Sequence, residues 1–219
     1  RPAIEQLLRS YKEAGFNLVE QWPRDIDERG TYQFYDMWCQ VADEVGIAIA
    51  ASAGSMKRHL RPGADHWDQP GVRNRYRQRL ARTVKQLRNH PSALLWSYTG
   101  NAFGHADDQD PRLIGKSRDQ SGWQQPHFDQ QWHKRMAIGD QAAEMIRQLD
   151  PTRPIMFHQG GPVGDVYALN NYLNWMPLQD RIEWLSEWAQ HGDMPYMAVE
   201  FGTPLHCSFM RGKEGGGWG

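Results

Sequence analysis

An α/β barrel, a ring of parallel strands wrapped by helices, is the fold class this sequence predicts. Three observations predict it. Amphipathic helical stripes alternate with short apolar runs in units of roughly 30 residues, the size of a βαβ module. A Gly- or Pro-containing breaker separates each stripe from the apolar run that follows it. Polar and aromatic residues then collect at the C-terminal end of nearly every run: Glu20 and Trp22, Ser52, Asn101, His158 and Gln159, Asn171 and Tyr172, Glu200. In a parallel barrel those ends meet at one rim, where barrel enzymes place their active sites. An open doubly wound sheet also alternates strands and helices. It favours a Gly-rich phosphate loop after its first strand, whereas this chain reads Glu20-Gln21-Trp22-Pro23-Arg24 there.

The elements follow in order. Ile4, Leu7, Leu8, Tyr11 and Ala14 recur at helical spacing with Pro2 in the first turn; Gly15 stops that helix, and Phe16–Val19 is a strand. Phe34, Met37, Trp38, Val41 and Val45 line a second helix, Gly46 ends it, and Ile47–Ala50 is the next strand. Val72, Tyr76, Leu80, Val84 and Leu87 form a third stripe, broken by Asn89-His90-Pro91 before the strand Ala93–Tyr98. Met136, Ala143, Ile146 and Leu149 form a fourth, stopped at Asp150-Pro151, with Pro154–His158 and Val166–Asn170 as strands. A last helix carrying Ile182, Leu185 and Trp188 ends before Gly192, and Tyr196–Phe201 is the final strand. Six strands with intervening helices imply parallel pairing and right-handed crossovers. A complete eight-fold barrel needs about 250 residues, so the 219 residues are read as one partial barrel domain over 1–219.

Composition narrows the function classes. Lys+Arg 25 against Asp+Glu 26 gives a net charge of −1, without the basic excess that sequence-independent nucleic-acid binding requires. The Arg-rich helix, with Arg73, Arg75, Arg77, Arg79, Arg82 and Arg88, keeps strict apolar spacing and reads as a solvated outer face. No apolar run is long enough for a membrane helix. Cys39 and Cys207 make neither a disulfide framework nor a cysteine-based zinc site alone. Nine histidines show no metal-ligand spacing, and no cofactor fingerprint is present. Aromatic residues reach 11%, ten of them Trp. Trp38, Trp184 and Trp188 fall on helical stripes and read as core. Trp22, Trp175 and Trp218 fall in loop positions, where indole can stack on the apolar face of a pyranose.

Several stretches together resemble a known family. Asn89-His90-Pro91-Ser92-Ala93-Leu94-Leu95-Trp96-Ser97 is similar to the Asn-His-Pro-Ser-x-x-x-Trp-Ser segment leading into the fourth barrel strand of family-two glycoside hydrolases, the β-galactosidase and β-glucuronidase relatives. Gly15–Val19 resembles that family's second strand, and Asp43–Ile47 its passage into the third. Asn170–Trp175 resembles its sixth strand, and Val199-Glu200-Phe201-Gly202 its seventh. The resemblance implies a retaining glycosidase barrel represented by about strands 2 to 7, acting on a carbohydrate substrate without cofactor, metal, nucleic acid or membrane. It also implies further domains in a longer parent chain. Localisation stays open, secretion or a periplasmic site being compatible with the class.

Retaining glycosidases need two carboxyl groups, a nucleophile and an acid/base, about 5–5.5 Å apart. By resemblance Glu200 is the nucleophile, Asn101 binds a sugar hydroxyl and Tyr172 donates to the nucleophile. The remaining rim residues Asn171, His158, Trp175, Trp22 and Glu20 are expected to touch sugar. The acid is missing: where the family reads Gly-Asn-Glu-x-Gly-His, this chain reads Gly100-Asn101-Ala102-Phe103-Gly104-His105. Three explanations stand. Another group replaces it, with Asp108 and His105 first and Asp107, Asp110, Glu20 and Asp165 as further candidates. The barrel binds sugar without cleaving it. Or Ala102 is an engineered inactivation, although Thr99 and Phe103 also depart from the family and favour a natural subgroup. The long polar stretch from Asn101 to about Gln131 is expected to border the site.

Overall fold

The computed structural model describes residues 1–21, 31–56, 59, 65–99, 130–158, 160–171, 177–183 and 185–201. Its elements are α1 (Pro2–Glu13), β1 (Leu18–Glu20), α2 (Thr31–Val45), β2 (Ala48–Ser55), α3 (Pro70–Leu87), β3 (Ala93–Thr99), α4 (Gln130–Arg147), β4 (Ile155–Phe157), β5 (Tyr167–Asn171), α5 (Leu178–Glu183), α6 (Ser186–His191) and β6 (Tyr196–Phe201). All six expected strands are present. The Gly stops work as the sequence implies: Gly15 and Gly46 take φ of 91° and 73°, a left-handed conformation that L side chains resist.

Every strand pairing is parallel. β1, β2, β3 and β4 form one ladder in chain order, β5 and β6 form a second, and a parallel bridge between Met156 and Val166 joins the two. The sheet is strongly curled. In a flat sheet β1 and β4 would lie about 14 Å apart, three strand spacings, yet Glu20 at the end of β1 and His158 just past β4 are hydrogen-bonded. The result is the wall of a partial (β/α) barrel with its helices outside.

Alternation along each strand divides the core in two. Ile49, Ala51, Trp96, Tyr98, Ile155, Phe157, Tyr167 and Leu169 face outward and pack with Leu8, Cys39, Val41, Leu80, Val84, Leu87 and Ile146 from the helices. Ala50, Leu95, Met156, Val166 and Ala168 face inward, with Leu18, Met197 and Val199 packed against them. Burying each large apolar side chain fully contributes about 1.5–3 kcal/mol, so the outer layer carries most of the stability. On α3 the stripe Tyr76, Leu80, Thr83, Val84 and Leu87 is buried. Arg75, Arg77, Arg79, Arg82 and Arg88 are exposed, as a solvated outer face requires.

Two expectations change. The helix expected to carry Ile182, Leu185 and Trp188 inward is two short helices, α5 and α6. Leu178, Ile182 and Leu185 remain exposed, Ile182 at 72%, and of the expected stripe only Trp188 is buried. β2 runs to Ser55, five residues past the sequence reading, because Ala51-Ser52-Ala53-Gly54-Ser55 is held by pairing with Trp96–Thr99.

Tryptophan roles also resolve where described. Trp96 is fully buried and donates from Nε1 to Asp150 at 3.0 Å. Trp67 is buried too, donating to Gln141 Oε1 at 3.1 Å.

Candidate active site at the strand ends

One step beyond the inward apolar layer, the same alternation brings up a polar layer. On β1 Leu18 is followed by Glu20, on β3 Leu95 by Ser97, past β4 Met156 by His158, and on β5 Ala168 by Asn170. β6 breaks the rule. Met197 pairs with Ala168 and faces inward, so simple alternation would send Glu200 outward with Ala198. The register instead runs Leu169–Ala198 and then Asn170–Glu200, leaving Val199 unmatched. This bulge turns Glu200 into the barrel, beside Asn170, as bulges beside functional sites commonly re-aim a side chain.

His158 joins the layer together. Its Nδ1 lies 2.8 Å from Glu20 Oε2 and its Nε2 lies 2.9 Å from Glu200 Oε1. Ser97 Oγ donates to the other oxygen of Glu20 at 2.5 Å. The imidazole is 2% exposed. Two carboxylates accept only, so both ring nitrogens must donate and the ring is an imidazolium. Burial on its own would lower the histidine's pKa; the hydrogen bonds and charges of Glu20 and Glu200 outweigh it and raise it to about 9. Glu200 is 32% exposed at its side chain, and its Oε2 has no hydrogen-bond partner among the described residues. Asn170 is 1% exposed, and its Oδ1 is likewise without a partner among them.

The sequence-predicted residues fall into three groups. Glu200, His158 and Glu20 are brought together. His158 and Glu20, expected to touch sugar, are hydrogen-bonded to one another, His158 also to Glu200 and Glu20 to Ser97. Asn101, Ala102, His105, Asp107, Asp108, Asp110, Tyr172, Trp175, Trp22 and Trp218 lie outside the described residues, as does the side chain of Asn171, whose backbone ends β5. Asp165, a candidate acid, is ruled out by position. Its carboxylate accepts from Arg147 at 2.6 Å and from the backbone N–H of Ile155 at 2.9 Å, at the start of β4 and so at the opposite end of the barrel. Glu20, another candidate acid, stands across the imidazole of His158 from Glu200. The sequence reading missed Asn170 and Ser97, although each stands two residues after an inward apolar residue.

At the base of the barrel a second histidine is held in the same way. His90 contacts Asp43 Oδ2 at 2.6 Å and Asp36 Oδ1 at 3.2 Å, and Asp43 Oδ1 accepts the N–H of Ser92 at 2.8 Å. Ser92 Oγ donates to the Cys39 carbonyl at 3.1 Å. The Asn89–Ser97 stretch thus pins the start of β3 to α2, far from the polar layer. An open groove between α3 and α4, lined by Arg73, Arg77, Asp140 and Glu144 among others, also lies on the outer layer, away from the strand ends. Among the described residues no group of three or more His, Cys, Asp or Glu side chains is arranged to hold a metal ion, and no described helix is long and apolar enough to cross a membrane.

Comparison with known proteins agrees with this architecture. Residues 27–209 match the family described as Glycosyl hydrolases family 2, TIM barrel domain. The β-galactosidases of Yersinia pestis (strain Pestoides F) and Yersinia pseudotuberculosis serotype O:3 (strain YPIII) are each 24% identical over 130 residues, covering 59% of this chain and 9% of theirs. Among solved structures, an FMN-binding β-glucuronidase from Facaelibacterium prausnitzii L2-6 superposes with a TM-score of 0.55 at 18% identity, over 91% of this chain and 27% of that one. That last likeness concerns the fold. The chain therefore spans only a small part of these relatives.

Proposed function

The chain belongs to the TIM barrel domain family of the glycosyl hydrolases family 2, and from that premise we propose that it is the catalytic wall of a retaining β-glycosidase with Glu200 as nucleophile. One observation carries the reading. The β6 bulge sets Glu200 in the polar layer at the strand ends, its side chain 32% exposed, with Oε1 held by His158 and Oε2 without a hydrogen-bond partner among the described residues. A fixed carboxylate with one free oxygen is what attack on an anomeric carbon requires.

In this scheme Oε2 attacks the anomeric carbon as the bond to the leaving oxygen breaks, and that oxygen takes a proton from a nearby acid. Water, deprotonated by the same group, then attacks the glycosyl-enzyme ester and frees Glu200. With Asp165 at the far end and Glu20 behind the imidazole, the acid falls to the Asn101–Gln131 stretch, where Asp108 and His105 are our candidates. Asn170 Oδ1 accepts a substrate hydroxyl. Asn101, Asn171, Tyr172, Trp175 and Trp22 complete the sugar contacts in this reading. Residues 1–219 act as one partial barrel domain within a longer parent, whose other parts supply the remaining barrel strands.

The test is covalent trapping. A 2-deoxy-2-fluoro β-glycosyl fluoride of the right sugar should add one glycosyl unit to Glu200, located by peptide mass, because fluoride leaves without protonation. Glu200→Gly should abolish labelling, and azide should restore turnover of a dinitrophenyl glycoside as the α-glycosyl azide. Ala102 supports a second reading, a barrel that binds sugar but no longer cleaves it. Saturable sugar binding with no labelling across a panel of fluorosugars would favour that one.

A further inference from the structure

The unusual feature of the polar layer is its only described cation. His158 is nearly fully buried, stands between two carboxylates on strands that are not neighbours, and has no ring nitrogen left for a ligand. A histidine at this rim that only lined the sugar site would keep one nitrogen toward the cavity.

We infer that His158 is a positioning residue for Glu200: an imidazolium clamped by Glu20 that fixes Oε1 and leaves Oε2 for the substrate. The inference rests on Glu200 being the nucleophile. The described charged groups facing the ring are Glu20 from β1 and Glu200 from β6; from β3, Ser97 reaches Glu20 as a neutral donor.

Each member has a separable job. Ser97 and His158 occupy both oxygens of Glu20, so that carboxylate cannot rotate and the ring plane is set. Glu20 also holds the ring from the side opposite Glu200, so the imidazole cannot swing away from Oε1. The proton on Nε2 stays with the ring through the first chemical step, because that nitrogen points at Oε1 and not at the leaving oxygen. His158 is therefore not the missing acid. The ring's raised pKa, about 9, keeps this arrangement charged at neutral pH. When Glu200 becomes an ester it loses its charge, and the ring loses the ion pair with Glu200 that helps hold its proton.

The experiment uses the complete natural polypeptide and the 2-fluoroglycosyl fluoride described above. Labelling rate is followed against pH for wild type and for His158→Gln, because labelling reports attack by Glu200 without acid catalysis. In wild type labelling should fall as pH rises through about 9, where the ring gives up a proton that holds Glu200 or Glu20. In His158→Gln labelling should be slower throughout, and that alkaline limb should be gone. Labelling as fast as wild type, or an alkaline limb that survives the substitution, would overturn the inference while leaving Glu200 as nucleophile. No label at Glu200 in wild type would instead sink the glycosidase reading, and this inference with it. A second measurement needs no variant that folds. In wild type labelled with 15N-histidine, both His158 ring nitrogens should read as protonated at pH 8, and the ring's pKa should fall once Glu200 carries the glycosyl label. A bare ring nitrogen at pH 8, or a pKa indifferent to labelling, overturns it.

Discussion

Asn170 and Glu200 are direct partners across the β5–β6 ladder because Val199 on β6 is passed over in the register. That places a buried amide oxygen, without a hydrogen-bond partner among the described residues, next to the carboxylate proposed as nucleophile. A buried acceptor without a donor costs about 1–3 kcal/mol, and a site that binds hydroxyls recovers that cost only when substrate arrives.

Asn170→Leu therefore has opposite expected effects on stability and binding. Near-isosteric replacement of an unpaired polar group is close to neutral or stabilising, so the melting temperature of the unliganded protein should stay level or rise. The KM for a nitrophenyl glycoside should rise about tenfold, the equivalent of one lost hydrogen bond of about 1.4 kcal/mol. Thermal melts and initial rates decide it. An unchanged KM takes Asn170 out of the sugar site.

His158 also predicts how stability follows pH. Its pKa is raised from 6.5 to about 9 in the folded chain, so its contribution is complete below 6.5 and is lost as pH rises through about 9. The melting temperature of wild type relative to His158→Gln should fall between those limits, corresponding to a loss on the order of 2–3 kcal/mol. A difference that grows on the acidic side has the wrong sign and would reject the clamp.

The base of the barrel gives a different window. Burial opposes the charge on both His90 and Asp43, yet mutual hydrogen bonds and attraction, with Ser92 aiding Asp43, raise the histidine and lower the carboxylate. Asp43 contributes above its unfolded pKa and fades as pH falls through the lowered one. His90 contributes below its unfolded pKa and fades as pH rises through the raised one. His90→Ala should cost about 1–3 kcal/mol in urea unfolding near pH 6, less at either extreme. Because this cluster is far from the polar layer, labelling of the folded fraction at Glu200 should be unchanged.

How much of this was legible in the sequence follows from what each position needs. The strands beginning near Ile47, Ala93, Pro154 and Tyr196 were legible because apolar runs bounded by Gly or Pro depend on local chemistry. The second half of β2 was not: Ala51–Ser55 has weak strand propensity and is a strand only because β3 lies beside it. Ile182 and Leu185 misled for the converse reason, since a helical stripe signals burial only if a partner surface exists. Glu200 was legible at the rim as the polar end of an apolar run, whereas period-two alternation would have turned it outward. No sequence rule announces the bulge at Val199. His158 was placed at the rim correctly, but that its two nitrogens are taken depends on Glu20 and Glu200, 138 and 42 residues away.

Trp96 tests the division of the aromatic residues. It is buried against the helices with Nε1 bonded to Asp150, whose pKa is lowered to about 2: burial opposes this, and donors from Thr152, Arg153 and Trp96 overcome it. Trp96→Phe keeps most of the packing and removes one charge-assisted donor, so stability should fall by about 1.5–3 kcal/mol. Affinity for sugar, measured by calorimetry on the folded variant, should not move. A loss of sugar affinity at unchanged stability would place Trp96 among the sugar-stacking residues.

The missing acid is the sharpest test of whether the barrel cleaves or only binds. Proton donation to a leaving oxygen is worth about 10²–10⁴-fold for a poor leaving group and little for dinitrophenolate. If Asp108 or His105 replaces the glutamate absent at Ala102, one of Asp108→Asn and His105→Gln should lose that factor on an alkyl glycoside while keeping dinitrophenyl glycoside turnover. Ala102→Glu added to the impaired variant should restore part of the loss, since it returns a carboxyl to the family's own position. Equal activity of both single variants on alkyl glycosides would exclude both residues as the acid. Turnover confined to dinitrophenyl glycosides in wild type would mean that the chain retains a nucleophile but no donor, and the sugar-binding reading would then gain over hydrolysis of natural substrates.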